Sequence, residues 1–221
     1  FNILPMLVGS LVVALGALFL SLPISIFCAV FIRFFAPGFV KVVMSRLLEV
    51  LAGIPSVIFG LWGLVELVPW LREFRAPGTS LMAAAIVLSL MIIPTMTLIV
   101  ERALRYFPEA VFKNALALGM NLDRIVVRLV LPTTKNGIVA GSVLGFGRAI
   151  GETMAVLMVA GNVVQIPESI FDSVRTLTAN IALEMSYAMD EHRASLFVCG
   201  LLLCLIVMAM ISVIKIKEVR Y

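Results

Sequence analysis

An arginine and a glutamate four residues apart, Arg148 and Glu152, lie inside the apolar run 137–161, GIVAGSVLGFGRAIGETMAVLMVAG. The run is long enough to cross a bilayer. An ionised side chain at mid-membrane costs about 2.5–3.5 kcal/mol on insertion scales. The i, i+4 spacing lets a guanidinium and a carboxylate meet on one helical face, which offsets that cost. Two readings of the pair stay open on residue types. In one, Arg148 offers a planar, permanently protonated fork to the oxygens of an anion, and Glu152 holds the fork when the anion is absent. In the other, the two form a structural ion pair that fixes helix packing. Thr153 and Asn162 are neutral hydrogen-bonding candidates lying off the charged stripe. Gly137, Gly141 and Gly145 run four apart, in line with the two charges. Glycines so placed let another helix come close, so this face should point into a bundle and away from lipid.

The elements that position these residues follow from composition. Of 221 residues, 62% are hydrophobic and 14% charged, and the mean hydropathy is +1.14. A soluble chain of this length is roughly half apolar, so the sequence predicts an all-α integral membrane protein with one transmembrane domain over 1–221. Five spans can be placed, at about 6–32, 46–70, 81–101, 137–161 and 195–214. The net charge of +4 reads as membrane topology and not as nucleic-acid binding, because the basic residues lie between spans. Arg33, Lys41 and Arg46, then the loop 102–136, then Lys215, Lys217 and Arg220 in the tail mark the cytoplasmic side by the positive-inside rule. The connections 66–80 and 162–194 are then external, the C-terminus is internal, and residue 1 is outside. With no start Met and no signal peptide, at least one helix is expected to precede Phe1.

No enzymatic site is legible. The chain has no G-x4-GK[ST] phosphate loop and no nucleophile–His arrangement. Cys28, Cys199 and Cys204 fall within spans without metal spacing, so no metal or cofactor is expected in this chain. The single histidine, His192, reads as solvated loop surface. In the second span, Gly53, Pro55 and Ser56 should loosen the helix, and Pro94 is a kink candidate in the third. The loop 102–136 has structure of its own. Pro108 opens and Gly119 ends a short helix, PEAVFKNALALG, and a second stretch runs from Asn121 to Pro132. Phe112, Ala115 and Leu116 form an apolar stripe beside Glu109 and Lys113, which suits a membrane surface or a partner's groove. The external loop carries a further helical pattern over 173–189, with Leu177, Ile181, Glu184 and Met185 on successive turns.

These residues bring out a resemblance. Gly119, Leu129, Leu131 and Pro132 match the end of the EAA signature of bacterial ABC importer permeases, G-x9-I-x-L-P. Counting back, Lys113 stands at the Glu position, Asn114 at the first Ala, and Ala115 keeps the second. Glu109 lies one turn earlier as the candidate stand-in, next to Ala110. The segment 131–162, with GRA-x-GETMA, together with LLEVLAGIPSVIFGLWG (47–63) and MIIPT (91–95), resembles PstC-type permease subunits of phosphate ABC importers. The resemblance implies a type I importer permease bundle with six spans in the family. It also implies a second, PstA-type permease, two ATPase subunits carrying ATP and Mg, and a periplasmic phosphate-binding protein. Arg148 and Glu152 would be the membrane charges linked to passage of inorganic phosphate, in a multi-pass protein of a bacterial or archaeal cytoplasmic membrane. A permease for sulfate, molybdate or tungstate would need the same cationic stripe, and a non-transporting scaffold would need neither it nor the cytoplasmic helix.

Overall fold

The computed structural model describes residues 3–218, without the side chains of 211 and 213–218. Phe1, Arg220 and the side chains of Lys215 and Lys217, used above for topology, lie outside the described residues. The chain opens with α1 (Leu4–Val30), which ends in a π-helical turn, Phe31–Phe35. Next come α2 (Gly38–Gly53), α3 (Ser56–Trp62) and, after a π-helical stretch, α4 (Val68–Phe74). The long α5 (Leu81–Arg105) is followed by short helices, α6 (Glu109–Ala117), α7 (Leu122–Ile125) and α8 (Leu131–Thr133). The last four are α9 (Lys135–Ile150), α10 (Met154–Val159), α11 (Leu177–Glu184) and α12 (Asp190–Glu218).

Among the described residues the five expected spans are not five unbroken helices. Among the described residues, three helices, Leu4–Phe35, Leu81–Arg105 and Asp190–Met210, are individually long and apolar enough to cross a membrane. The run 46–70 is split: Gly38–Gly53 and Ser56–Phe74 meet at 89°. Ile54 and Pro55 are both extended there, with ψ of 131° and 135°, as expected of a residue forced out of the helical region by a following proline. The run 137–161 is also split, with three non-helical residues between α9 and α10.

The core is built around α5, whose Val87, Leu88, Met91, Ile92 and Met96 are buried against α1 and α9. Phe19, Phe27, Phe39, Trp62 and Trp70 instead point outward. Small polar residues inside (Ser21 and Ser25 are fully buried) and large apolar ones outside are the arrangement a lipid solvent favours.

The loop 162–194 is stitched to this core. A helix start leaves its first backbone N–H groups without intrahelical partners. At α5 the N–H of Ser80 donates to the Val159 carbonyl (3.1 Å), that of Leu81 to Asp172 (2.9 Å) and that of Met82 to Ile170 (2.9 Å). The Ser80 hydroxyl takes the N–H of Ala83. The predicted helix over 173–189 is shortened because Thr176 caps it, accepting from the N–H of Ala179. Arg175, just before the cap, bridges Asn162, Asn180 and Glu184, and Glu184 also pairs with His192 at 3.0 Å. His192 is therefore half-buried, with its Nε2 against the Glu184 carboxylate, and not the solvated residue its loop position suggested.

The glycine stripe fixes how closely α9 approaches α5. A Cβ on Gly137 would collide with the Ala103 side chain, one on Gly145 would sit 2.6 Å from the Met96 sulfur, and one on Gly141 3.3 Å from Ile99. The two helices run antiparallel in this register. Gly137→Ala should destabilise the protein by about 1–3 kcal/mol through overpacking, read as a lower melting temperature of the purified protein. Gly147→Ala, where a Cβ meets nothing within 4 Å, is the control. Equal melting of the two variants would remove the packing role from the stripe.

Candidate functional site

The close approach at Gly145 sets the position of Arg148, one turn further along α9. There the guanidinium reaches across to α5 and its Nη1 donates to the Thr95 hydroxyl oxygen at 2.9 Å. Both residues are half-buried. Thr95 directly follows Pro94, which is buried in α5. The sequence pointed to the MIIPT segment but not to this contact. Only the antiparallel register of α5 and α9 brings residue 95 opposite residue 148.

The expected Arg148–Glu152 pair is absent. Among the described residues no ion pair joins them, because the helix ends before Glu152 is reached. Gly151 and Glu152 still close the last turn through N–H bonds to Gly147 and Ala149. Beyond that the chain leaves the helix. The Glu152 carbonyl accepts the Thr178 hydroxyl of α11 at 2.8 Å, and the Glu152 carboxylate faces the N–H of Ala155 at 3.4 Å. Side-chain groups thus take the backbone partners that a continuing helix would use, a known way for polar residues to compete with helix. Thr153, half-buried within the break, makes no side-chain hydrogen bond among the described residues. Asn162, with φ of 56°, donates to the Leu157 carbonyl.

The consequence is electrostatic. Arg148 sits in an apolar bundle with a neutral hydroxyl as its hydrogen-bond partner, and among the described residues no carboxylate is ion-paired with it. A cation in that setting attracts any anion that can reach it, and its fork matches a tetrahedral oxyanion.

A second candidate element lies at the opposite end of α5. The short α6 packs its Ala115 and Phe112 against the ends of α1 and α5, with Phe112 stacked on Phe34 at a centroid distance of 5.5 Å. Gly119, with φ of 80°, ends the helix in the left-handed conformation that glycine takes most easily. The other face carries Glu109 and Lys113, paired at 3.2 Å, with Ala110 and Leu118 exposed. Of the apolar stripe read from the sequence, Phe112 and Ala115 face the bundle while Leu116 is exposed. Leu131 is half-buried and Pro132 exposed at the return to α9.

The family model described as "Binding-protein-dependent transport system inner membrane component" matches residues 21–219. Among curated proteins, the phosphate transport system permease protein PstC of Pasteurella multocida is 34% identical, over 97% of this chain and 73% of its own length. A probable ABC transporter permease protein of Bacillus subtilis, YqgH, is 35% identical, over 98% of this chain and 71% of its own. Among solved structures, an inward-facing MetNI methionine ABC transporter aligns with a TM-score of 0.75 at 19% identity, covering 96% of this chain and 92% of the other. That likeness shows the fold, a type I ABC importer permease bundle. The match over nine-tenths of the length, together with relatives above 30% identity, settles the family. This chain belongs to the inner membrane components of binding-protein-dependent transport systems.

Proposed function

We propose that this chain is the pore subunit of an ATP-driven phosphate importer, alternating between outward and inward access with a second, PstA-type permease. The observation that carries this reading is Arg148, a half-buried guanidinium held by a neutral hydroxyl instead of by a carboxylate. An uncompensated cation inside a bundle is expensive unless an anion visits it, and relatives named for phosphate transport supply the anion's identity. Glu152 and Thr153 lie at the helix break four and five residues on. They belong to the same pathway, with Glu152 anchoring the break and repelling an anion that overshoots the arginine.

Energy comes from two partner ATPase subunits, which carry ATP and Mg, and phosphate is delivered by a periplasmic binding protein. In this reading the exposed side of α6, with Glu109, Ala110, Lys113 and Leu118, docks on an ATPase at the cytoplasmic face, and its buried side, with Ala115, passes motion to α1 and α5. Gly119, Leu131 and Pro132 fix how that helix joins the bundle. The C-terminus lies on the same side, in a bacterial or archaeal cytoplasmic membrane.

Arg148→Gln in the reconstituted complex should assemble normally and lose phosphate uptake roughly 10–100-fold, the range for a charged hydrogen bond worth about 1.5–3 kcal/mol. Uptake and ATP turnover compared for phosphate, sulfate, molybdate and tungstate identify the oxyanion. Normal phosphate uptake by Arg148→Gln would sink the pathway role. Leu118→Glu, at a residue 84% exposed, should leave the permease fold intact and weaken retention of the ATPases on purification, by roughly 10–100-fold for one buried leucine. Undiminished ATPase retention and turnover would rule out docking through α6.

A further inference from the structure

Serine and threonine within a helix ordinarily turn the hydroxyl back onto a carbonyl three or four residues earlier. Two such residues of α5 do so: Ser89 donates to Ile86 at 2.7 Å and Thr97 to Ile93 at 2.8 Å. Thr95 departs from this pattern. Its oxygen accepts from Arg148 Nη1, and its own proton has no acceptor among the described residues. Thr95 is half-buried, as is Arg148, so the spare proton is neither spent on the backbone nor fully given to water.

We propose that Thr95 is a ligand of the anion site. Its lone pair holds the Arg148 fork, and its hydroxyl proton is donated to an oxygen of the anion seated on that fork. This inference rests on the reading of Arg148 as the site where the transported anion binds. A hydroxyl suits both duties because it accepts and donates at once, whereas an amide nitrogen or an ammonium only donates. The opposite helices then act together, α9 supplying the charge and α5 the neutral group that aims it.

Replacements that separate shape from hydrogen bonding test the assignment. Thr95→Val keeps the volume and loses the hydroxyl, and Thr95→Ser keeps the hydroxyl and loses the methyl. The readout is phosphate uptake, with phosphate moved per ATP hydrolysed, by the full complex in proteoliposomes with its binding protein. Thr95→Val should lower uptake about tenfold, the loss expected for a hydrogen bond to a charged group, and Thr95→Ser should stay near the parent. Thr95→Val combined with Arg148→Gln should be no worse than Arg148→Gln alone, because the two groups act as one unit. A packing role reverses this order: Thr95→Ser becomes the more damaging change and the double variant is additive, and either result overturns the proposal. Should Thr95→Val fail to assemble, Thr95→Ala against Thr95→Ser compares two side chains that both lack the methyl and differ in the hydroxyl, and equal uptake by these two overturns it as well. Normal uptake by Arg148→Gln defeats the anion-site reading itself. Lost uptake in Arg148→Gln with full uptake in Thr95→Val defeats the assignment of Thr95 and leaves that reading standing.

Discussion

The distance between α5 and α9 governs this molecule. At Gly137 and Gly145 the helix backbone comes against Ala103 and Met96 too closely for a methyl group unless something shifts, and at Gly141 a methyl would press tightly on Ile99. In a lipid solvent apolar side chains gain little from meeting one another, so helices are held by close packing and by hydrogen bonds between them. The glycines permit the first and Arg148 to Thr95 is an instance of the second. Each depends on the other. Without the close approach the arginine would not reach across, and a longer separation would leave its fork without the hydroxyl that aims it.

The break after Ile150 is the other half of the same design. A helix running unbroken from 135 to 161 would have brought Glu152 beneath Arg148 and neutralised it. Instead Glu152 is anchored by Thr178 of α11 and by the start of α10. The loop 162–194 holds this arrangement in place. It supplies acceptors for the first N–H groups of α5, and its helix α11 is tied to α1 where the Leu177 N–H donates to Ser10. One loop thus terminates α5, supports the break and fixes α11. Its length, about thirty residues, is explained by these three duties.

Much of this was legible from residues alone. The apolar content gave the membrane class, Pro108 and Gly119 bracketed α6, and the glycine spacing placed Arg148 on a face covered by another helix. The ion pair with Glu152 was misjudged because i, i+4 logic assumes a continuous helix. Where α9 ends, the Glu152 carbonyl accepts a hydroxyl from residue 178, a partner that no local pattern around 151–153 announces. Thr95 was missed for a related reason. Spacing within a segment reports which residues share a face, but the register between two helices is set by how their surfaces interlock. The bend at Ile54–Pro55 was anticipated in place but not in size, since a proline specifies a lost hydrogen bond and leaves the angle to the surroundings. His192 likewise acquired its partner from α11, eight residues earlier in the chain and folded back onto it.

A pathway site has to attract its passenger and then let it go. A guanidinium locked to a carboxylate would attract weakly, because each arriving anion must displace a charge of its own sign. A guanidinium with no partner would be poorly placed and costly to keep in an apolar bundle. A neutral hydroxyl lies between these limits. It fixes one edge of the fork without cancelling the charge; on the proposed reading of Arg148 as the anion's site, the remaining N–H groups would take up the passenger and release it without a carboxylate competing for the fork. The choice of threonine over an acid opposite Arg148 therefore matches a group that binds in passing better than one that binds to stay.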